Sequence, residues 1–497
     1  MNRSTRKNAL SRVSLENLPE CVEGPTYDVT ALTPGIVHLG MGGFHRAHMA
    51  RYTHNLMNRR ADALSWGIVG AGLMPSDARM RDVLAAQDCL YTLVERSGHN
   101  ETITIIGSVT GMLLAGEDAA ELLDAIDGAA IRVISLTVTE NGYCLNRATK
   151  RLDTGHPLIA ADLARPENPK SAIGIVTEAY RRRRAAGRAP FTALSCDNIQ
   201  HNGNVLRAAV LDFAALRDPA LASWIAAHGR FPNTMVDRIT PLTRSEDAAA
   251  LAARHGIADG WPVFAESFSQ WVIEDDFADG RPAWEDVGAQ FVTDVTPYEF
   301  MKLRLLNTSH LAIAALGRLI GHHFIHETMQ DEDLCCYMIA LMDRETGTTL
   351  MPVPGINIAA YKATLIERFA NPAIMDTVER VNTDAPVNYL VDPIRDRLKN
   401  GDGIELLALA LAAWLRRVRG TDEQGERIDI RHPMAQILRD RAIAGGGDPR
   451  PLLEITDLFG ELGQQEAFVT SVGKWLTSLY AVGAAQTVAT ARETQRF

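Results

Sequence analysis

The first half of the chain alternates short runs rich in Val, Ile and Thr with longer amphipathic stretches. GIVHLG (35–40), WGIVGAGL (66–73), YTLVE (91–95), TITIIG (102–107), RVISLTVT (132–139) and FTALSC (191–196) are bounded by Gly or polar residues and read as strands. Between them, DAAELLDAID and SAIGIVTEAYRRRR carry the apolar repeat of helices. That alternation predicts a mostly parallel sheet with helices on its faces. From about residue 296 the strand-like runs almost vanish, and stretches such as KLRLLNTSHLAIAALGRLI, IELLALALAAWLRRV and QEAFVTSVGKWLTSLYAV predict helices instead. At 497 residues the chain is long enough for two domains.

After the first apolar run comes GMGGFHRAH, in which Gly40, Gly42, Gly43 and Phe44 lie between a predicted strand and a predicted helix. A strand, a glycine turn and a helix N-terminus let a backbone approach a pyrophosphate closely. The third glycine of G-x-G-x-x-G falls on His45, a departure from the usual fingerprint. Past the next strand, Asp77 is the candidate for the adenosine ribose, where a carboxylate favours NAD over NADP; a helix N-cap is the alternative reading. The expected fold class is therefore α/β: a Rossmann-type doubly wound sheet domain over 1–295, followed by a mostly α-helical C-terminal domain over 296–497 for substrate binding and catalysis.

Composition narrows the function classes. A net charge of −11 argues against nucleic acid as a partner. The one basic block, Arg181 to Arg184, reads as the solvated face of a helix. Six scattered cysteines suggest free thiols in a reducing cytoplasm. The polar N-terminus MNRSTRKNALSRVSLENLPE has no apolar leader, and no stretch reaches the length of a membrane span. HHFIHE (322–327) has ligand-type residues but no second carboxylate motif nearby, so no metal is expected.

The segment EFMKLRLLNTSHLAIAALG puts Lys302, Asn307 and His310 on one apolar helix. At 100° per residue, Asn307 lies about 140° and His310 about 80° around the axis from Lys302, so the three share one arc about 12 Å long. Arg304, about 200° around, points away. Among Leu303, Leu305, Leu306 and Leu311, desolvation disfavours the ammonium and suits Lys302 to general-base work. Asn307 is placed to hydrogen-bond the oxygen losing its proton, and His310 to orient a neighbouring hydroxyl. A snorkelling lysine, a capped asparagine and a core histidine are the structural alternative.

Together with TVTENGYCL (137–145), SCDNIQHNG (195–203), FPNTMVDRITP (231–241) and FAESFSQWVIEDDF (264–277), these blocks resemble the polyol-specific long-chain dehydrogenases, in family order from about residue 35 to 380. The resemblance implies NAD-dependent, metal-independent interconversion of a sugar alcohol and a ketose. D-mannitol and D-fructose are the leading pair; fructuronate (mannonate) reduction and D-arabinitol oxidation are the alternatives within the family. It also implies Lys302 as general base, Asn198 beside Asn307 on the reacting oxygen, Glu299 passing protons to solvent, and Asp237 and Arg380 on the substrate. Where the family carries Asp-Gly-Ser-x-Lys-x-Pro, this chain reads VERVNTDAPVNYLVDPIRD, so the substrate-covering region differs. A nucleotide sensor without catalysis is the rival from another class, and monomer is the preferred state.

Overall fold

A computed structural model describes residues 10–98, 100–116, 119–146 and 149–497. The extreme N-terminus and Asp118, at the start of DAAELLDAID, lie outside the described residues. The chain forms two compact units, Met1–Val295 and Thr296–Phe497.

In the first unit, five strands form one sheet: β1 (Pro34–Leu39), β2 (Gly67–Gly72), β3 (Val109–Leu114), β4 (Val133–Leu136) and β5 (Thr192–Ser195). Their order is β3-β2-β1-β4-β5 and every neighbouring pair is parallel. This is the doubly wound nucleotide-binding order, and it reverses between β1 and β4. Alternate side chains enter opposite cores, as strand geometry requires. Val37 and Leu39 of β1 join a cluster with Leu122, Ile173, Val176 and Phe213, while Ile36 joins one with Ala47, Leu56, Met57 and Trp271. Burial on both faces explains why β1 reads as an apolar run interrupted only by His38.

Two expected strands of the parallel sheet lie elsewhere. Tyr91–Ser97 and Asn100–Ile106 form an antiparallel hairpin with Gly98 in its turn at φ +57°, and belong to a separate four-stranded sheet with Val22–Glu23 and Val263–Glu266. Periodicity shows that a segment is extended but not which sheet takes it. β3 was not anticipated, because SVTGMLLAG is interrupted by glycine. A three-stranded sheet of Thr234–Asp237, Gln270–Glu274 and Gln290–Val292 completes the unit.

The basic block is also not one solvated face. Arg183 is buried and donates to the carbonyls of Ile126, Gly128 and Ile131, whereas Arg181 and Arg182 pair with the buried carboxylate of Glu178. At about 100° per residue, successive arginines necessarily face different directions.

No strand is assigned in the second unit among the described residues. For helices in the nucleotide turn and in this unit we use α1 (Gly43–Ala47), α2 (Met49–Arg59), α3 (Thr296–Met301), α4 (Thr308–Ile320), α5 (Val378–Asp384), α6 (Asn388–Asn400), α7 (Glu405–Arg417) and α8 (Glu466–Val482). Every residue of α7 from Leu406 to Arg417 is buried, with α4 and α8 packed against it. An Ala/Leu helix with no polar face can only occupy the middle of its unit. Among the described residues no helix is long and apolar enough to cross a membrane.

Candidate functional site

The glycine turn sits where the strand order reverses. Gly40, directly after β1, has φ +84°, and a Cβ there would fall 2.3 Å from the Thr137 carbonyl oxygen beyond β4. Only glycine fits. Thr137 closes the contact by donating its hydroxyl to the Gly40 carbonyl at 2.8 Å. Gly42 and Gly43 differ from Gly40. At Gly42 and at Gly43 a Cβ would make only ordinary van der Waals contact, its nearest atom 3.8 Å away in each case, so the protein's own packing does not require a glycine at either position. Gly42 precedes α1, whose first N–H groups have no carbonyl behind them. Unpaired donors beside two glycines that the packing does not itself require fit the pyrophosphate of a dinucleotide. Phe44, half-buried, stacks on His48 at 4.8 Å.

His45 explains the missing third glycine. Its ring lies flat on His38 of β1, with centroids 3.4 Å apart and planes 17° apart, so paired imidazoles fill the gap that a glycine would close. His38 is held by Ser135 and Thr137 hydroxyls at 2.8 Å, and burial pushes its pKa down to about 3; the His45 pKa is likewise driven well below the usual histidine range. Both rings are neutral, which removes the repulsion that stacked imidazoliums would suffer.

Asp77 lies just beyond β2. A Cβ on Gly72, the last residue of that strand, would meet the Asp77 Cβ at 2.5 Å, so the acid packs directly on the strand end. Its Oδ2 accepts the Met74 N–H at 2.9 Å and makes no cap to the helix that follows, Ala78–Ala86. The capping alternative holds for the preceding 3-10 turn, Pro75–Asp77, whose N-cap N–H, that of Met74, the Asp77 carboxylate accepts; the second carboxylate oxygen is not used in that contact.

Beyond β5, Asn198 is exposed, while its neighbour Asp197 is buried. Asp197 accepts the N–H groups of Val138 and Thr139 at 3.1 and 2.7 Å and the Tyr143 hydroxyl at 2.8 Å. Burial raises its pKa. Sequence reasoning missed this residue, since nothing local separates the structural Asp of SCDN from its Asn. Asn202 donates to the carbonyls of Asp197 and Thr234, tying this loop to the strand that ends in the buried Asp237.

In the second unit, Glu299 is buried on α3 and the chain then enters a π-helical turn, Lys302–Asn307, before α4. This corrects the α-helical arc assumed from the sequence. With hydrogen bonds running five residues back, positions five apart return toward the same edge. Lys302 and Asn307 are five apart, so the turn brings the two positions toward one edge of the helix where α-geometry would splay them by about 140°. Both are buried, as is His310 one turn into α4. Arg304 is pinned on another side by Asp396 at 2.5 Å.

The His310 ring stacks on Phe369 at 4.6 Å, with Nε2 3.5 Å from Asp376 Oδ2. Arg380 donates from Nε and Nη2 to the two oxygens of Asp376 at 2.6 and 2.5 Å, and its Nη1 lies 3.3 Å from Asp384. Its guanidinium is thus engaged by the protein's own carboxylates. In HHFIHE, Glu327 is spent as a cap on the N–H groups of His323 and Phe324. Among the described residues no group of three or more side chains is arranged to hold a metal.

The comparisons with known proteins bear on both units. The model of the mannitol dehydrogenase Rossmann domain matches residues 34–286, and that of the mannitol dehydrogenase C-terminal domain matches residues 294–480. The chain belongs to the mannitol dehydrogenase family. It is 41% identical to mannitol dehydrogenase 2 of Saccharomyces cerevisiae over 96% of each chain. Mannitol 2-dehydrogenase of Pyricularia oryzae is 42% identical over 90% of this chain and 91% of its own length. The mannitol 2-dehydrogenase of Pseudomonas fluorescens, solved as a ternary complex with NAD and D-mannitol, shares 43% identity and a TM-score of 0.88 over 98% of this chain and 99% of that one. A substrate-free D-sorbitol dehydrogenase has the same TM-score at 34% identity, over 96% of this chain and all of that one. Both solved relatives are thus similar to this chain over nearly its whole length.

Proposed function

We propose that this member of the mannitol dehydrogenase family is an NAD-dependent oxidoreductase that converts D-mannitol to D-fructose and catalyses the reverse reaction. The observation that carries the reading is the π-turn that buries Lys302 and Asn307 five residues apart, in a chain similar end to end to a mannitol 2-dehydrogenase that binds NAD and D-mannitol.

The unpaired N–H groups at the start of α1, beside Gly42 and Gly43, would receive the pyrophosphate, Asp77 the adenosine ribose, and Phe44 would flank the cofactor. Bound NAD supplies the acceptor for the hydride that leaves the carbinol carbon. Lys302 Nζ takes the hydroxyl proton as general base, and Glu299, buried three residues earlier, hands it on toward solvent. Asn307 donates to the oxygen as it gains alkoxide character, and Asn198 is assigned the same kind of contact. Neutral amides stabilise that charge without a second buried cation. His310 orients a neighbouring hydroxyl, and Asp237 and Arg380 hold distal hydroxyls. We read the protein as a cytoplasmic monomer, supported by six free cysteines and by a helical unit that covers its own most apolar helix.

The test is NADH formation with D-mannitol, D-sorbitol, D-arabinitol and D-mannonate, each repeated with NADP. Preference for D-mannitol with NAD is expected. Turnover confined to another polyol, or to NADP, would overturn the assignment.

A further inference from the structure

An arginine fork is the usual anchor for a carboxylate, because its two parallel N–H groups match the two oxygens. In Arg380 that fork is already filled. Nε and Nη2 sit on Asp376, and Nη1 faces Asp384. One guanidinium between two carboxylates leaves the group with a net negative charge. The arrangement is also fixed. Asp376 is only 7% exposed, its carbonyl accepts the Ile325 N–H at 2.9 Å, and the next residue, Thr377, caps α5 by accepting the Arg380 N–H. Asn382 then ties α5 to α4 by donating to the Ala314 carbonyl at 2.8 Å. The same Asp376 oxygen that meets Arg380 stands 3.5 Å from His310 Nε2, so the group adjoins the helix that carries Lys302 and Asn307.

We infer that Asp376, seconded by Asp384, is a specificity-determining and positioning residue: it occupies the Arg380 fork and reserves this end of the substrate region for neutral polyols against carboxylated sugars. This rests on the polyol dehydrogenase reading. A hydroxyl can still accept from the guanidinium edge without disturbing Asp376, whereas a substrate carboxylate must displace one of two resident carboxylates and meet the other's repulsion.

The experiment compares wild type, D376N and D384N, which keep side-chain shape and remove charge, in NADH formation with D-mannitol and with D-mannonate. D-mannonate is also titrated as an inhibitor of D-mannitol oxidation at low and high salt. D376N is expected to raise the mannonate-to-mannitol ratio of kcat/KM at least tenfold and to lower the mannonate inhibition constant, with the gain shrinking at high salt. D384N, whose carboxylate is largely exposed, should shift both about threefold in the same direction. If wild type oxidises D-mannitol but neither variant changes the ratio or the inhibition constant, the inference is overturned and the function stands. Failure of wild type on D-mannitol would overturn the function itself. A D376N protein that does not fold leaves the decision to D384N, and an unchanged ratio there overturns the inference.

Discussion

The Thr308 hydroxyl lies 2.9 Å from the Leu303 carbonyl, five residues back, and 2.7 Å from the Tyr389 carbonyl on α6. A π-turn widens the helix and weakens its own ladder, so such turns persist only where something else holds them. Here the holding group is a hydroxyl at the end of the turn, bridging to a neighbouring helix. Thr308→Val removes it while keeping the shape. The turn should relax toward α-geometry, swinging Asn307 away from Lys302. A misplacement near 1 Å can cost about a hundredfold in rate, so kcat for D-mannitol should fall tenfold to a hundredfold with NADH affinity unchanged. Thr308→Ser should recover most of the loss. Equal loss in both variants would mean that the hydroxyl does not matter.

Lys302→Ala separates the chemical step from cofactor binding. General bases contribute typically 10²–10⁴-fold, and kcat/KM for D-mannitol should fall by about that factor. NADH titrated by fluorescence should bind as to wild type, since the glycine turn is built entirely within the first unit. Retained turnover in this variant would remove Lys302 from the mechanism.

Two neighbouring glycines should respond in opposite ways. At Gly40 an alanine is strained by its backbone and meets the Thr137 carbonyl, so Gly40→Ala should destabilise the first unit by at least about 1–3 kcal/mol, seen as a lower melting temperature. Gly42 has an extended backbone, φ −110° and ψ −166°, and a Cβ there would meet no atom closer than 3.8 Å. Gly42→Ala should therefore cost less than about 1 kcal/mol of stability yet weaken NADH binding markedly, because the methyl group enters the space proposed for the pyrophosphate. Unaltered NADH affinity in Gly42→Ala would move the cofactor elsewhere.

The fold was largely legible because its strongest signals are local. A mainly apolar run before a glycine turn points to a strand buried on both faces, as β1 is. Sheet membership was not legible, since Tyr91–Ser97 carries strand-forming residues as β4 does but pairs with its own neighbour in a hairpin. In the candidate site, residue types on one segment could be read, whereas partners far along the chain could not. Nothing in KLRLLN announces a π-turn, and the contact at its end runs from Thr308 to a carbonyl 81 residues away. Asp376 was invisible for the same reason. Its importance comes from standing between His310 and Arg380, a relation no spacing rule encodes.

Glu345 provides a pH-dependent test of how the helical unit is held together. Its two carboxyl oxygens accept the Leu406 and Leu407 N–H groups at the start of α7, each at 2.8 Å. Burial nevertheless dominates and pushes its pKa up to about 7, the backbone N–H groups only moderating the rise. In the unfolded chain the carboxyl titrates near the ordinary glutamate value, about 4.3. The folded state therefore holds the proton to a higher pH than the unfolded state. The stabilisation is complete below the unfolded pKa and is lost as pH rises through the folded one, a total on the order of 3 kcal/mol between pH 4 and 8. Glu345→Gln cannot titrate, and it turns an amide donor toward one of the two N–H groups, which adds a pH-independent penalty of about 1–3 kcal/mol. The diagnostic quantity is the slope. The melting temperature of wild type minus that of Glu345→Gln should fall steadily from pH 5 to 8 and level off above it. Parallel curves across that range would show that Glu345 is already ionised in the folded protein at pH 5, with the two N–H bonds outweighing burial.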